Sequence, residues 1–357
     1  MYSESDLQAA VDAKVLTPEA AMAFRSHIAS VRSTPGADEE SFRLITGFND
    51  IFVSIAAVIL LMAVAWIGAS IHTALGGAFV AASAWFLAEY FTRKRRMALP
   101  SIVLVLAFAG GVFATMVGFL VEHGEAIFGR DPGETVGAVI VGAMALITAA
   151  ATWLHWKRFM VPITVAAGTA ALAATAVALV LAVTGIPHPD GTLPMVLVLV
   201  AGLGVFTLAM WWDRSDRIRQ TRRSDVAFWL HLLAAPMIAH PIFHLLGVTR
   251  GDDIGSAAAV MVVGIYVLFG LIALAIDRRA LLVSALAYVL FAMTQLFREF
   301  GAVELNVALT AFVIGSALLL LSAFWQNARS AVVALLPANL ANQLPATTRT
   351  VSPIPAS

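Results

Sequence analysis

The chain has 357 residues, of which 60% are hydrophobic and 12% charged, with no cysteine and a formal net charge of zero; its mean hydropathy is +0.89. Soluble domains carry about 25% charged residues, so the composition excludes a disordered chain, and the lack of cysteine excludes a disulfide scaffold or a zinc–thiolate site. The balanced charge gives no sign of nucleic-acid binding.

Residues 1–48 are polar and read as a cytoplasmic helical hairpin, a linker and an interfacial helix. Ser5 and Gln8 fit a capping box before a first short helix, and Thr17-Pro18-Glu19 places an N-cap ahead of a proline at the first helical position. The apolar residues here are too few for an independent core. Residues 1–46 are therefore expected to dock on a protein partner or on the rest of the chain. Ser33 to Gly36 reads as a linker, and residues 38–48 as a helix on the membrane surface.

Ten stretches then reach the roughly 20 apolar residues that a helix needs to cross a bilayer. They lie near 49–69, 72–92, 98–121, 135–154, 159–184, 193–212, 226–247, 256–276, 280–297 and 305–325. The fold class is thus an all-α polytopic transmembrane helical bundle, with residues 49–325 as the membrane domain and the lipid bilayer as its main partner. The polar segment before Asn49 is too long and acidic for a cleavable leader, so the first span is expected to stay as a signal anchor. Residues 326–357 read as an interfacial helix followed by a disordered cytoplasmic tail.

Basic residues set the orientation, because lysine and arginine in short loops stay on the cytoplasmic side. Alternate loops hold 13 of them: Arg93, Lys94, Arg95, Arg96, Lys157, Arg158, Arg214, Arg217, Arg219, Arg222, Arg223, Arg278 and Arg279. The intervening loops hold only Arg130, Arg250 and Arg298. Both termini are expected to be cytoplasmic in a multi-pass protein of the cell inner membrane. That assignment places 19 basic and 13 acidic residues inside, and 3 basic and 9 acidic outside. Trp85, Tyr90, Trp153, Trp156, Trp211, Trp212, Trp229 and Trp325 fall near the inner ends of spans, where they are expected to anchor at the headgroups. Small residues mark close helix contacts. Gly110, Ala114 and Gly118 on the third span, and Ala166, Ala170, Ala174 and Ala178 on the fifth, are expected to make those two helices interior and closely packed.

The seventh span is the least ordinary. It carries His231, His240 and His244, with Pro236 and Pro241 each removing a backbone donor and favouring a kink. His240 and His244 stand four apart on one face. Such a pair is able to share a metal or relay protons, or else to serve as hydrogen-bonded packing on a kinked helix. Gln295, Arg298 and Glu299 at the end of the ninth span, with Glu304 and Asn306 at the start of the tenth, lie at similar depth. If spans seven, nine and ten pack together, these residues line an outward-facing pocket. Glu89 is expected to pair with Arg93 one helical turn on. No span carries a charge at mid-bilayer, which weighs against an ion-coupled pump. Soluble-enzyme motifs are missing, and no metal ligand set or cofactor is expected.

The segment Leu16-Thr-Pro-Glu-Ala-Ala-Met22, the ten-span body and the closing Trp325, Arg329, Leu336-Pro337 and Leu344-Pro345 resemble the bacterial inner-membrane proteins grouped as DUF2157-like. That resemblance covers the layout of the whole chain and implies no catalytic or binding residues. Three readings of function stand side by side: a non-enzymatic membrane component with a cytoplasmic docking hairpin, a small-solute transporter or permease with a pocket near span seven and the outer end of span nine, and a histidine-dependent membrane enzyme.

Overall fold

The computed structural model describes Leu7, 10–24, 48–185, 191–217, 219, 221–248, 256–299 and 306–345; the side chains of 256, 295, 296, 298, 299 and 306 lie outside the description. The chain divides into two units, Met1–Phe42 and Arg43–Ser357. In the first, Thr17 Oγ1 accepts from the Ala20 N–H at 3.1 Å, the capping geometry expected ahead of Pro18. The Ser5–Gln8 capping box, the linker at 33–36 and most of the surface helix at 38–48 lie outside the described residues.

In the second unit the described residues form helices and no strands. They are α1 (Phe48–Ile71), α2 (Thr73–Ala88) with a π-helical turn (Glu89–Lys94), α3 (Ala98–Phe128), α4 (Gly133–Phe159), α5 (Pro162–Thr184) and α6 (Thr192–Arg214). There follow α7 (Arg222–Leu245), α8 (Ser256–Ile276), α9 (Ala280–Glu299), α10 (Asn306–Ala323), α11 (Trp325–Ala334) and the short α12 (Ala338–Ala341). Helix satisfies every backbone group within its own segment, which hydrocarbon demands. The ends follow local chemistry. His72 Nδ1 accepts from the Ala74 N–H at the start of α2, Gly185 closes α5 at φ +64°, and Val161 is extended before Pro162.

Among the described residues, α1 to α8 are each long and apolar enough to cross a membrane, α2 being taken through its π turn to Lys94. The chain is a polytopic integral membrane protein. The last two expected spans coincide with α9 and α10 in position, but the described residues support them less fully. The described apolar part of α9 is the shorter Ala280–Thr294, and α10 breaks at Phe324 into α11 at an angle of 77°, so the count is eight, or nine with the bent pair taken as one.

Neighbours in sequence pack as pairs: α2 on α3, α4 on α5, α6 on α7 and α8 on α9, with α7 also against α5 and α9. Helix α7 is the most buried of the eight. Its Leu230, Ala234, Ala235, Ala239 and Phe243 form the centre of the largest core. The small residues expected to mark close packing on the third and fifth helices meet different neighbours. A Cβ on Gly111 would lie 2.7 Å from the Ala81 nitrogen, one on Gly118 2.6 Å from the Ala74 nitrogen, and one on Gly77 2.3 Å from the Thr115 nitrogen, so α3 closes against α2. Gly110 faces open space. At about 100° per residue, Gly111 falls within roughly 20° of Gly118, whereas Gly110 is rotated about 80° away. Helix α5 lies instead on α4, where Thr175 Oγ1 donates to the Gly142 carbonyl at 3.3 Å. Ala174 is exposed; the contact with α4 runs through Thr175 and Ala178, while Ala166 packs into the core around α7.

The basic loops gather at one end. Arg158 at the end of α4 reaches Glu89 beside Arg93, and Arg278 reaches the α6–α7 connection. Trp229 of α7 packs with Val105, Val161 and Ile163, joining the two groups.

Candidate functional site

Helix α6 ends in Trp211-Trp212-Asp213-Arg214, and α7 starts behind Thr221, whose hydroxyl caps the Arg223 N–H. Asp216 fixes the connection by accepting from the Thr221 N–H at 2.8 Å and from its hydroxyl at 2.7 Å. Asp213 is left facing inward, 1% exposed. Its Oδ1 accepts from Arg278 at 2.8 Å, and its Oδ2 lies 3.0 Å from His231 Nε2. A carboxylate only accepts, so His231 Nε2 carries the hydrogen. Arg278 also donates to the Ser224 carbonyl at 3.1 Å. Three elements, α6, α7 and the α8–α9 loop, are thereby tied through one buried carboxylate.

A second carboxylate stands beside it. Asp277 Oδ2 accepts from Arg219 at 2.7 Å and Oδ1 from the Trp325 indole at 2.8 Å, with Arg329 Nε 3.7 Å away. Arg219 donates as well to the carbonyls of Ile276 and Asp277, and Arg329 to that of Pro345 at 2.7 Å. Arg217 reaches the Leu344 carbonyl at 3.0 Å. The end of α10 and the segment after α12 are thus brought back to the loop where α9 begins. Burial alone would raise the Asp277 carboxyl, but Arg219, the Trp325 indole, Arg329 and Arg278 outweigh it and hold the group below its ordinary value. Burial, with Arg278 beside it, lowers Arg219.

These contacts correct the reading of the aromatic residues as headgroup anchors. Trp325 is buried and bonded to Asp277, with Arg279 stacked over its ring at 4.6 Å. Trp85 packs against Phe108, His155 and Phe159. Trp156, Trp212 and Trp229 pack against the core. Trp153 and Trp211 are exposed, as anchors require. Glu89 makes the expected contact with Arg93, and also a two-pronged one with Arg158 at 2.6 and 3.0 Å.

Of the residues singled out in span seven, His231 lies in the buried network, away from the other two. His240 is exposed, and its Nδ1 lies 2.6 Å from the Tyr288 hydroxyl of α9. The rings of His240 and His244 stand 6.1 Å apart. Pro236 and Pro241 lie within a helix unbroken from Arg222 to Leu245. Pro241 leaves the Met237 carbonyl without its helical donor, and there α6 draws close: a Cβ on Gly202 would meet the Met237 backbone at 2.9 Å. Helix α9 meets α10 at Thr294 and Thr310. Gln295, Arg298, Glu299, Glu304 and Asn306 lie outside the described side chains.

Asp213, Asp277 and the burial of Arg219, Arg278 and Arg329 were not anticipated. Asp213 and Arg278 are 65 residues apart, and spacing along a chain does not pair such positions. The available signal was weak: an aspartate inside an otherwise basic span end. An apolar groove of about 110 Å³ adjoins this network at Trp325 and Arg279 and runs on between Tyr266, Leu282, Leu286 and Leu318. It is smaller than the roughly 300–1,000 Å³ of drug-sized ligand sites.

No protein-family model, curated protein sequence or solved structure matches the chain.

Proposed function

We propose that the chain is a non-enzymatic component of a bacterial inner membrane, crossing it ten times with both termini cytoplasmic, and that its C-terminal half is a rigid scaffold. The observation that carries this reading is the buried set of Asp213, Arg278 and His231. Both Asp213 oxygens, His231 Nε2 and Arg278 Nη2 bond to one another or to the Ser224 carbonyl. A charge pair satisfied in this way fastens helices, whereas a transport path needs polar groups open to water. The return of Trp325 to Asp277 supports ten crossings, because α9 leaves and α10 comes back to the same end. The asymmetry of the basic loops supports a cytoplasmic position for that end. Residues 1–46 are assigned to docking a protein partner, and the likeness to the DUF2157-like grouping belongs to this proposal without adding an activity.

Proteoliposomes test the scaffold reading. Vesicles holding the intact chain are expected to keep an imposed pH gradient as long as protein-free vesicles do. Faster decay that Asp213→Asn abolishes, with the chain still folded, would replace the scaffold with a proton path.

One observation favours the permease reading as the second choice. His240 is exposed within a membrane-crossing helix and bonded to Tyr288, and lipid is a poor neighbour for such a pair. Solute uptake into vesicles that is lost in His240→Ala would establish it.

A further inference from the structure

At the end of the bundle opposite the basic loops, two adjacent residues meet a third that lies 50 and 51 positions before them. Helix α3 has 31 residues and is roughly 46 Å long at 1.5 Å per residue. Hydrocarbon is about 30 Å thick, so its last turns project beyond the lipid. They carry Glu122 and His123 up to His72, in the turn between α1 and α2.

The three side chains are held for a common purpose by their own backbone bonds. Glu122 Oε1 accepts from the Thr73 N–H at 2.7 Å, and Oε2 lies 2.6 Å from His72 Nε2. His72 Nδ1 accepts from the Ala74 N–H at 3.2 Å, so the hydrogen of the neutral ring sits on Nε2 and is donated to Glu122. His123 Nδ1 lies 3.3 Å from the Phe119 carbonyl. A carbonyl only accepts, so this nitrogen carries the hydrogen and Nε2 keeps its lone pair. The His72 and His123 rings stack with centroids 5.5 Å apart. One ligand atom from each of His72, Glu122 and His123 lies within 4.8 Å of the others.

We infer that His72, Glu122 and His123 form a binding site for a divalent transition-metal ion of the zinc class. Two imidazole nitrogens and one carboxylate oxygen are the donors that such ions select over magnesium or calcium. Glu122 and His123 are already oriented by a second hydrogen bond, to the Thr73 N–H and the Phe119 carbonyl, the arrangement that raises metal affinity. Ligation needs the Nε2 lone pair of His72, so as the ion enters the single ring hydrogen moves through solvent from Nε2 to Nδ1, which gives up the Ala74 N–H; both side chains are about one-third exposed, at 34% and 32%. Ligands of one zinc ion stand about 3.3 Å apart, given bond lengths near 2.0–2.1 Å, so the short His72–Glu122 contact opens slightly as the ion enters. Binding then clamps the α1–α2 turn to the end of α3 on the face that the proposed orientation places outside.

Equilibrium dialysis of the full chain, purified in detergent with any affinity tag removed, tests the site with zinc chloride and, in parallel, magnesium chloride. The expected result is one zinc per chain, no magnesium, and a loss of affinity of about tenfold or more in each of His72→Ala, Glu122→Gln and His123→Ala. His123→Ala removes a ligand without touching the caps of α2, and its metal-free melting temperature should equal that of the parent. Absence of zinc binding, or binding that His123→Ala and Glu122→Gln leave unchanged, would overturn the assignment.

Discussion

Arg278 donates to Asp213 at 2.8 Å with both side chains almost wholly buried, 5% and 1% exposed, where α6, α7 and the α8–α9 loop meet. Removing one member of such a pair leaves an uncompensated buried charge, a loss of about 3–5 kcal/mol. Arg278→Met should therefore lower the stability of the detergent-solubilised chain by that amount. Combining it with Asp213→Asn should restore at least half, because the new amide oxygen still accepts from His231 while the lone charge is gone. Unfolding curves of the single and double variants supply the check.

The second carboxylate gives a pH dependence. Asp277 has a folded value below its ordinary one, near 3.9, so its contribution is complete above that value and fades as pH falls through the lowered one. The melting temperature of Asp277→Asn should lie below that of the parent by a constant margin from pH 7 to pH 5, and the margin should narrow only under stronger acid. A margin that already closes between pH 7 and pH 5 would contradict the assigned direction.

Glycines of α2 and α3 divide into two kinds. At Gly77 a methyl group would stand 2.3 Å from the Thr115 nitrogen, while at Gly110 it would meet nothing within 4 Å. Overpacking against backbone costs about 1–3 kcal/mol, and an alanine at an open helical position gains up to about 1 kcal/mol over glycine. Gly77→Ala should thus destabilise, and Gly110→Ala should be neutral or stabilising, in the same thermal assay.

Most of the helices were legible in the sequence because hydropathy is a local property, and α1 to α8 follow the expected spans closely. The 77° bend between α10 and α11 was not legible, because hydropathy reports how apolar a run is and not the direction it takes. Small residues announced that close contacts exist without naming the partner, which for Gly111 and Gly118 is Gly77, Ala81 and Ala74 on α2. The candidate site was half visible. His231 stood out as an unusual residue in a span, yet its partner Asp213 lies one residue past the expected end of the sixth span and carries no local mark of burial. The topogenic rule explains why arginine is found at that end; it says nothing of which guanidiniums turn inward. Arg219, Arg278 and Arg329 turn inward because Asp213, Asp277 and the carbonyls of Ser224, Ile276 and Pro345 are there to receive them.

The number of crossings decides whether the two ends of the chain share a compartment, and the chain has no native cysteine to obscure the answer. Single cysteines at Arg96, Gly129 and Arg349, probed in intact cells with a membrane-impermeant maleimide, test it most directly. Ten crossings with the fastened end inside predict labelling of Gly129→Cys alone, with Arg96→Cys and Arg349→Cys labelled only after lysis. Labelling of Arg349→Cys from outside would show an odd number of crossings and contradict the account.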